Sequence, residues 1–174
     1  MDLTSTIVDV IDTRSFSSVW YWIVLATAWS TASHYVLGVP FDMITRARRF
    51  GDEAYDELAG LVTINTRRVL FIARASGMVI LGFWAFVMVS LLLLAFWYWI
   101  EFAQAVVLIA LPMTAIGAMT LSTARRIEEE RLEQQQLFKR LMRHRFWTHV
   151  IGMISIFVTA LFGMYQNLLV VPGF

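Results

Sequence analysis

The chain has 174 residues, of which 59% are apolar and 16% are charged. Its mean hydropathy of +0.66 is typical of the membrane class rather than of one or two soluble domains. There is no cysteine, so disulfides, thiolate metal sites and cysteine nucleophiles are excluded.

Four uncharged and mostly apolar stretches are each long enough to cross a bilayer as a helix, which takes roughly 20 residues. In chain order they cover about residues 15–41, 75–97, 102–124 and 146–171. Runs such as VSLLLLAFWYWI do not alternate between apolar and polar residues as the strands of a membrane barrel do. The sequence therefore predicts an all-α integral membrane protein, a four-helix bundle that forms one domain over residues 1–174.

The segment before the first span, residues 1–14, is predicted to lie on the outer surface of the membrane. Residues 1–12 carry three aspartates and no basic residue, unlike the positive start of a secretory signal. Apolar residues recur there at helical spacing, which is typical of a short helix lying in the interface. We expect the first spanning helix itself to act as the insertion signal.

Two loops, residues 42–74 and 125–145, hold 13 of the 14 Lys and Arg residues. Because cytoplasmic loops retain positive charge, both are predicted to be cytoplasmic, which puts both termini and the turn at residues 98–101 on the outer, periplasmic side. Both loops are also predicted to be helical, with a helix end at Gly51 and a fresh start at Asp52. The chain is thus predicted to be a multi-pass protein of a bacterial inner membrane.

Basic side chains in the two loops are predicted to contact a cytoplasmic partner or anionic lipids. Acidic residues interrupt both basic runs, so nucleic acid is not expected as a partner. The residues predicted to make these contacts are Arg46, Arg48, Arg49, Arg125, Arg126, Lys139 and Arg140.

Glu101 is the only acidic residue between Glu57 and Glu128, and it lies in the outer turn. In a single chain it would be a hydrated residue that keeps the turn at the interface. In a symmetric oligomer its copies would form an acidic ring at the mouth of a cation channel. The second and third spans show no polar face along a whole helix, as a pore would need, and from Ile80 to Ala95 the only polar side chain is Ser90. This favours the first interpretation.

Polar residues lie at a similar depth in the inner halves of the first and fourth spans, where an imidazole should face protein or water rather than lipid. One interpretation is that the two histidines form hydrogen bonds that lock these helices together. The others are a hydrated proton or ion path and axial ligation of a b-type haem by His34 and His149. The cluster consists of Ser30, Thr31, His34, Thr148, His149 and Ser155.

No catalytic constellation emerges from the sequence. It contains no glycine-rich phosphate loop, no nucleophile elbow, no paired intramembrane carboxylates and no metal-binding helix motif. We therefore expect no enzyme activity, no metal and no cofactor, apart from the haem alternative.

Two stretches of the sequence are RSFSSVWYWIVLATAWSTASHYVLGVPFDM at residues 14–43 and WIEFAQAVVLIALPMTAIGAMTLSTARRIEEE at residues 99–130. Both resemble a family of small alphaproteobacterial inner-membrane proteins of unknown function. The similarity runs along most of the chain, and members often carry the label "component of SufBCD complex", which implies iron–sulfur cluster assembly. A chain without cysteine cannot hold a cluster on thiolates, so the resemblance implies at most a tether for soluble machinery through the cytoplasmic loops.

Association with other molecules is the function that remains. The sequence predicts a non-enzymatic accessory or scaffold subunit of an inner-membrane assembly. Its expected partners are membrane lipids and either another membrane protein complex or copies of itself. The alternatives are a homo-oligomeric cation channel with an outer ring of Glu101 and an electron-transfer subunit that binds b-type haem.

Overall fold

The computed structural model describes residues 15–130 and 134–169. The predicted outer segment at residues 1–14 lies outside the described residues, as do residues 131–133 and 170–174. A 3-10 turn at Ser15–Ser17 comes first. It is followed by α1 (Val19–His34), β1 (Tyr35–Val36), β2 (Val39–Pro40), α2 (Phe41–Phe50), α3 (Asp52–Phe96), α4 (Glu101–Glu130) and α5 (Gln134–Leu169).

The described part of the chain is 92% helical, so the all-α class is confirmed. Three of its helices, α3, α4 and α5, are long and apolar enough to cross a membrane. Helix α3 has 45 residues, which corresponds to a length of about 67 Å. Both basic loops are predicted to be helical. Their described residues form α2 and the ends of the three long helices that extend beyond the apolar runs.

The first predicted span is shorter in the structure than the sequence indicates. Helix α1 has 16 residues and ends at His34, so the helix is shorter than the predicted span at residues 15–41 and stops seven residues before its inner end. Leu37 and Gly38 have positive φ angles of 54° and 72°, the backbone of a two-residue hairpin turn. Residues 35–40 therefore fold back as a two-stranded antiparallel ribbon in which Val36 is paired with Val39.

A proline and a glycine set the limits of α2. Pro40 precedes it with extended backbone, which suits a helix start because proline has no N–H to leave unbonded. Gly51 follows with a φ angle of 81°, which glycine adopts without steric cost. The helix stop predicted at Gly51 is present, and α3 starts at the next residue.

Helices that are neighbours in space are α2 with α3, α3 with α4, α4 with α5, and α5 with α1. The Phe16 N–H donates to Glu101, and the Phe16 ring lies against Gly163, so the starts of α1 and α4 meet the last turns of α5. We call this the Glu101 end. The opposite end, with the hairpin, α2, the start of α3 and the junction of α4 and α5, is called the arginine end.

The largest buried core lies at the arginine end. Val36 and Val39 of the hairpin are 1% and 0% exposed, and they belong to one cluster with Ile44, Leu58 and Leu141. Burial of apolar side chains drives folding in water, so this core holds the charged end together in the way a soluble domain does. In α3, by contrast, only 6% of the most apolar 18-residue window is buried, against 28% for α5.

Candidate functional site

Four of the six residues of the predicted polar cluster border one cavity. Ser30, Thr31 and His34 of α1 and His149 of α5 line a shallow cavity of about 380 Å³ that is wide open to the surface, at the arginine end of these helices. Both imidazoles therefore border the same space. The remaining lining residues are Ser33, Tyr35 and Arg145.

Hydrogen bonding distinguishes the two imidazoles. The Nδ1 atom of His149 lies 2.9 Å from the carbonyl oxygen of Arg145. A carbonyl oxygen can only accept, so Nδ1 donates and Nε2 is the acceptor of the neutral ring. The exposed His34 ring packs edge-on against Tyr35, with the centroids 5.1 Å apart. In the part of the chain that the structure describes, no hydrogen bond links either imidazole to the other helix.

Arg145 connects this cavity to the rest of the arginine end. Its guanidinium lies over the ring of Phe41, 3.2 Å from the centroid, which is a cation–π contact between α5 and the first residue of α2. A fixed cation in the lining favours water or an anion in the cavity and disfavours a second cation. This charge weighs against a path for cations at His34 and His149.

The other two members of the predicted cluster make different contacts. The Thr148 hydroxyl donates to the His144 carbonyl one turn back in α5. The Ser155 hydroxyl donates across to the Leu108 carbonyl of α4, at 3.4 Å. Successive positions on a helix point about 100° apart, so Thr148 faces different neighbours from His149. Thr148 and Ser155 therefore stabilise α5 and its packing rather than line the cavity.

Glu101 has a partner within its own chain. One of its carboxylate oxygens accepts a hydrogen bond from the Phe16 N–H at 2.9 Å, and the residue is half-buried. The bond ties the 3-10 turn before α1 to the first residue of α4. Glu101 thus has a structural role in the single chain.

Two glutamines at the Glu101 end were not singled out in the sequence. Gln104 is 1% exposed, and its Nε2 donates to the carbonyl of Ala95 in the last turn of α3, at 2.9 Å. Its Oε1 accepts from Nε2 of Gln166 in α5, at 2.5 Å. One side chain therefore joins three helices. The available signal was the presence of two amides inside apolar runs, where unpaired polar groups are costly.

The predicted basic contact residues fall into separate surfaces. Arg48 and Lys139 border a groove of about 530 Å³ between α2 and α5. Arg126 and Arg140 border a smaller hollow between α4 and α5. The remaining three, Arg46, Arg49 and Arg125, are exposed.

His144 links α4 to α5, although the sequence indicated only a position in a charged loop. It is 4% exposed, and its Nδ1 lies 3.2 Å from the hydroxyl of Thr123. Because that hydroxyl donates to the Met119 carbonyl, Nδ1 must be the donor to Thr123. Burial lowers the pKa of His144 from its ordinary value, which favours the neutral ring.

Within residues 15–130 and 134–169 there is no group of three or more His, Asp or Glu side chains that could hold a metal ion. No family model, curated protein or solved structure matches the chain. The function is therefore argued from the geometry of the chain itself.

Proposed function

We propose that the chain is a non-enzymatic accessory or scaffold subunit of a bacterial inner-membrane assembly and that it holds a partner at its arginine end. The observation that carries this proposal is the groove between α2 and α5. Its floor contains Ile44, Phe138 and Met142, and its rim carries Arg48 and Lys139.

The groove combines apolar surface with positive charge. Met142 is 39% exposed, although it lies outside the predicted spans. Apolar surface that is rimmed by polar residues in water marks interaction sites. The two cations on the rim favour a partner segment that has an apolar face and acidic residues beside it, such as an amphipathic helix.

The lengths of the helices support four membrane crossings. The 16 residues of α1 extend about 24 Å, and the 3-10 turn before it adds about 6 Å, close to the roughly 30 Å of the hydrocarbon layer. With four antiparallel crossings, residues 15 and 169 would lie on the same side of the membrane, that of the Glu101 end. Since basic residues are retained on the inside, the arginine end and its groove then face the cytoplasm.

The family resemblance adds a candidate for the partner. If the resemblance holds, the groove would tether soluble machinery of iron–sulfur cluster assembly. The groove itself requires only an acidic and amphipathic segment, so the proposal does not depend on that identity.

The test is isolation of the full chain from its native membrane in a mild detergent, followed by measurement of the mass and stoichiometry of its companions. We expect a stoichiometric companion for the parent chain. The double variant Arg48→Glu with Lys139→Glu should weaken its retention at least about tenfold, because like charges would then face each other. Met142→Glu tests the apolar floor separately and should also reduce retention.

The matched control is Arg67→Glu with Arg68→Glu, which makes the same change of charge at exposed positions outside the groove. It should keep the companion. A parent chain that is isolated alone, or a groove variant that retains the companion as well as the control does, would refute the proposal.

A second function has one observation in its favour. His34 and His149 border the same cavity, which is what axial ligation of a b-type haem requires first. An absorption spectrum of the chain purified from its native membrane tests this alternative. A Soret band that is lost in His149→Ala would support it, and a colourless protein would refute it.

A further inference from the structure

One face of α4 and one face of α5 border two hollows that follow each other along the same groove. On α4 the lining positions run from Leu108 through Pro112, Ala115 and Ser122 to Arg126, in steps of three, four and seven residues. Steps of three, four or seven keep residues on one side of a helix. The hollows are therefore the two ends of one groove.

The matching positions of α5 have the same spacing. Arg140, His144 and Trp147 line the hollow at the arginine end, and Ile151 and Val158 line the other. The groove thus lies between two helices that are joined by the Thr123 to His144 contact and by the Ser155 to Leu108 bond.

The hollow at the arginine end is basic. It measures about 190 Å³, and Arg126, Arg140 and Arg143 border it together with Ser122. Arg140 is paired with Glu130 at 2.8 Å. Among the described residues no carboxylate forms an ion pair with Arg126 or Arg143. Two guanidinium groups therefore remain for an anion, and their planar forks suit phosphate oxygens.

The second hollow is apolar and measures about 450 Å³. Leu111, Pro112 and Ala115 of α4 face it from one side, and Ile151 and Ile154 of α5 from the other. Its one hydroxyl, on Ser155, is already bonded to the Leu108 carbonyl. The last turns of α3 close the far end with Leu92 and Phe96.

The length of the groove matches one leaflet of a bilayer. Fourteen positions separate Arg126 from Pro112, which is about 21 Å along a helix. Half of a bilayer with its headgroups is about 20 to 22 Å thick. An exposed Trp147 lies beside the basic hollow, where amphipathic rings favour the headgroup level.

We propose that the groove between α4 and α5 is a binding site for an anionic phospholipid. The lipid phosphate lies against Arg126 and Arg143, and an acyl chain follows the apolar hollow as far as Pro112. Basic pockets between membrane helices at the cytoplasmic surface are suited to anionic headgroups. A free phosphate would use only the basic end, whereas a zwitterionic lipid would gain less from it because its own cation opposes the arginines.

The site goes beyond the scaffold function and shares none of the groove residues proposed for the partner. The test is native mass spectrometry of the full chain in a neutral detergent with three probes: dioleoyl phosphatidylglycerol, dioleoyl phosphatidylcholine and inorganic phosphate. We expect retention of the phosphatidylglycerol above the other two. Arg126→Gln with Arg143→Gln should lower its affinity about tenfold or more, since each basic residue contributes on the order of a fivefold factor.

Ala115→Phe fills the apolar hollow without changing the charge, and it should lower retention of phosphatidylglycerol while phosphate binding stays unchanged. The control, Arg67→Gln with Arg68→Gln, removes the same charge at exposed positions outside the groove and should stay within about twofold of the parent. Helicity and thermal midpoint of each variant show that it is folded.

Three results would overturn the proposal. Binding lowered as much by the control pair as by the groove pair would mean general attraction by positive charge. Phosphatidylcholine bound as tightly as phosphatidylglycerol would mean that the arginines do not select the headgroup. Phosphate bound as tightly as the lipid, with lipid retention unchanged in Ala115→Phe, would mean a site for a free anion. Lipid binding is measured on the chain without its companion. A negative result would therefore refute the lipid site but not the scaffold function, which the co-isolation experiment tests.

Discussion

Replacement of Gln104 by methionine should loosen the Glu101 end, because this side chain joins three helices. Gln104→Met removes two hydrogen bonds while keeping most of the volume. Interhelical hydrogen bonds in membranes contribute about 0.6 kcal/mol on average and up to about 1.7 each, so the pair contributes about 1 to 3 kcal/mol. The Ala95 carbonyl lies in the last turn of α3, where helical donors run out, and leaving it unpaired adds about 1 kcal/mol or more. We expect a total loss of about 2 to 4 kcal/mol.

The assay is equilibrium unfolding in mixed micelles of dodecyl maltoside and dodecyl sulfate, followed by the fluorescence of the seven tryptophans. Gln136→Met makes the same chemical change at an exposed position and should stay within about 0.5 kcal/mol of the parent. A cycle with Gln166→Met should show coupling, because both changes break one shared bond. If Gln104→Met were as stable as Gln136→Met, the reasoning about the amide pair would be refuted.

Gly152→Ala should destabilise the contact between α1 and α5 by about 1 to 3 kcal/mol, because the new Cβ would lie 2.8 Å from the ring of the buried Trp29. The same unfolding assay checks this, and an unchanged midpoint would contradict it. The stability of the chain should fall as the pH drops below about 6.5, since the buried His144 takes up a proton less readily in the folded state than in the unfolded state. Thermal midpoints between pH 7.5 and 5 should show a smaller slope for His144→Asn, and equal slopes would exclude this histidine as the cause. A cysteine at Arg68, an exposed position outside the groove, should react with an impermeant maleimide only after the inner membrane is opened. Labelling in intact cells would reverse the proposed orientation.

Two controls sharpen these measurements. Gly77→Ala adds a methyl group where nothing lies within 4 Å, so it should be neutral or stabilise α3 by up to about 1 kcal/mol. Tyr98→Cys lies at an exposed position of the turn before α4 and should react with the maleimide from outside. The chain has no native cysteine, so each label reports a single site.

Long apolar runs predicted the three long helices because their length and composition are local properties of the sequence. The end of α1 was harder to predict. Residues 35–40 are uncharged and mostly apolar, so they look like a continuation of the span, yet they form a hairpin in which Val36, Leu37 and Val39 are buried. The signals were Gly38, which accepts a positive φ angle, and Pro40, which disfavours helical backbone at the residue before it.

In the candidate sites, too, some features could be predicted from the sequence and others could not. Counting the rise per residue from the predicted ends placed His34 and His149 at one depth, and they border one cavity. The same count gave Thr148 and Ser155 similar depths but said nothing about which side of α5 they occupy. The bond between Gln104 and Gln166 joins residues far apart in sequence, and it depends on how α4 and α5 slide past each other. No local pattern fixes that offset.

The unbroken α3 has a mechanical consequence for a chain seated in a bilayer. About 30 Å of its roughly 67 Å would lie in hydrocarbon, which leaves about 35 Å outside the bilayer as a lever, on the side that the proposed topology makes cytoplasmic. Membranes that differ in thickness change the tilt of such a helix, and a tilt of about 10° would swing the Asp52 end sideways by about 6 Å. Strain or thinning of the lipid would in this way displace a partner bound at the cytoplasmic end of the helix.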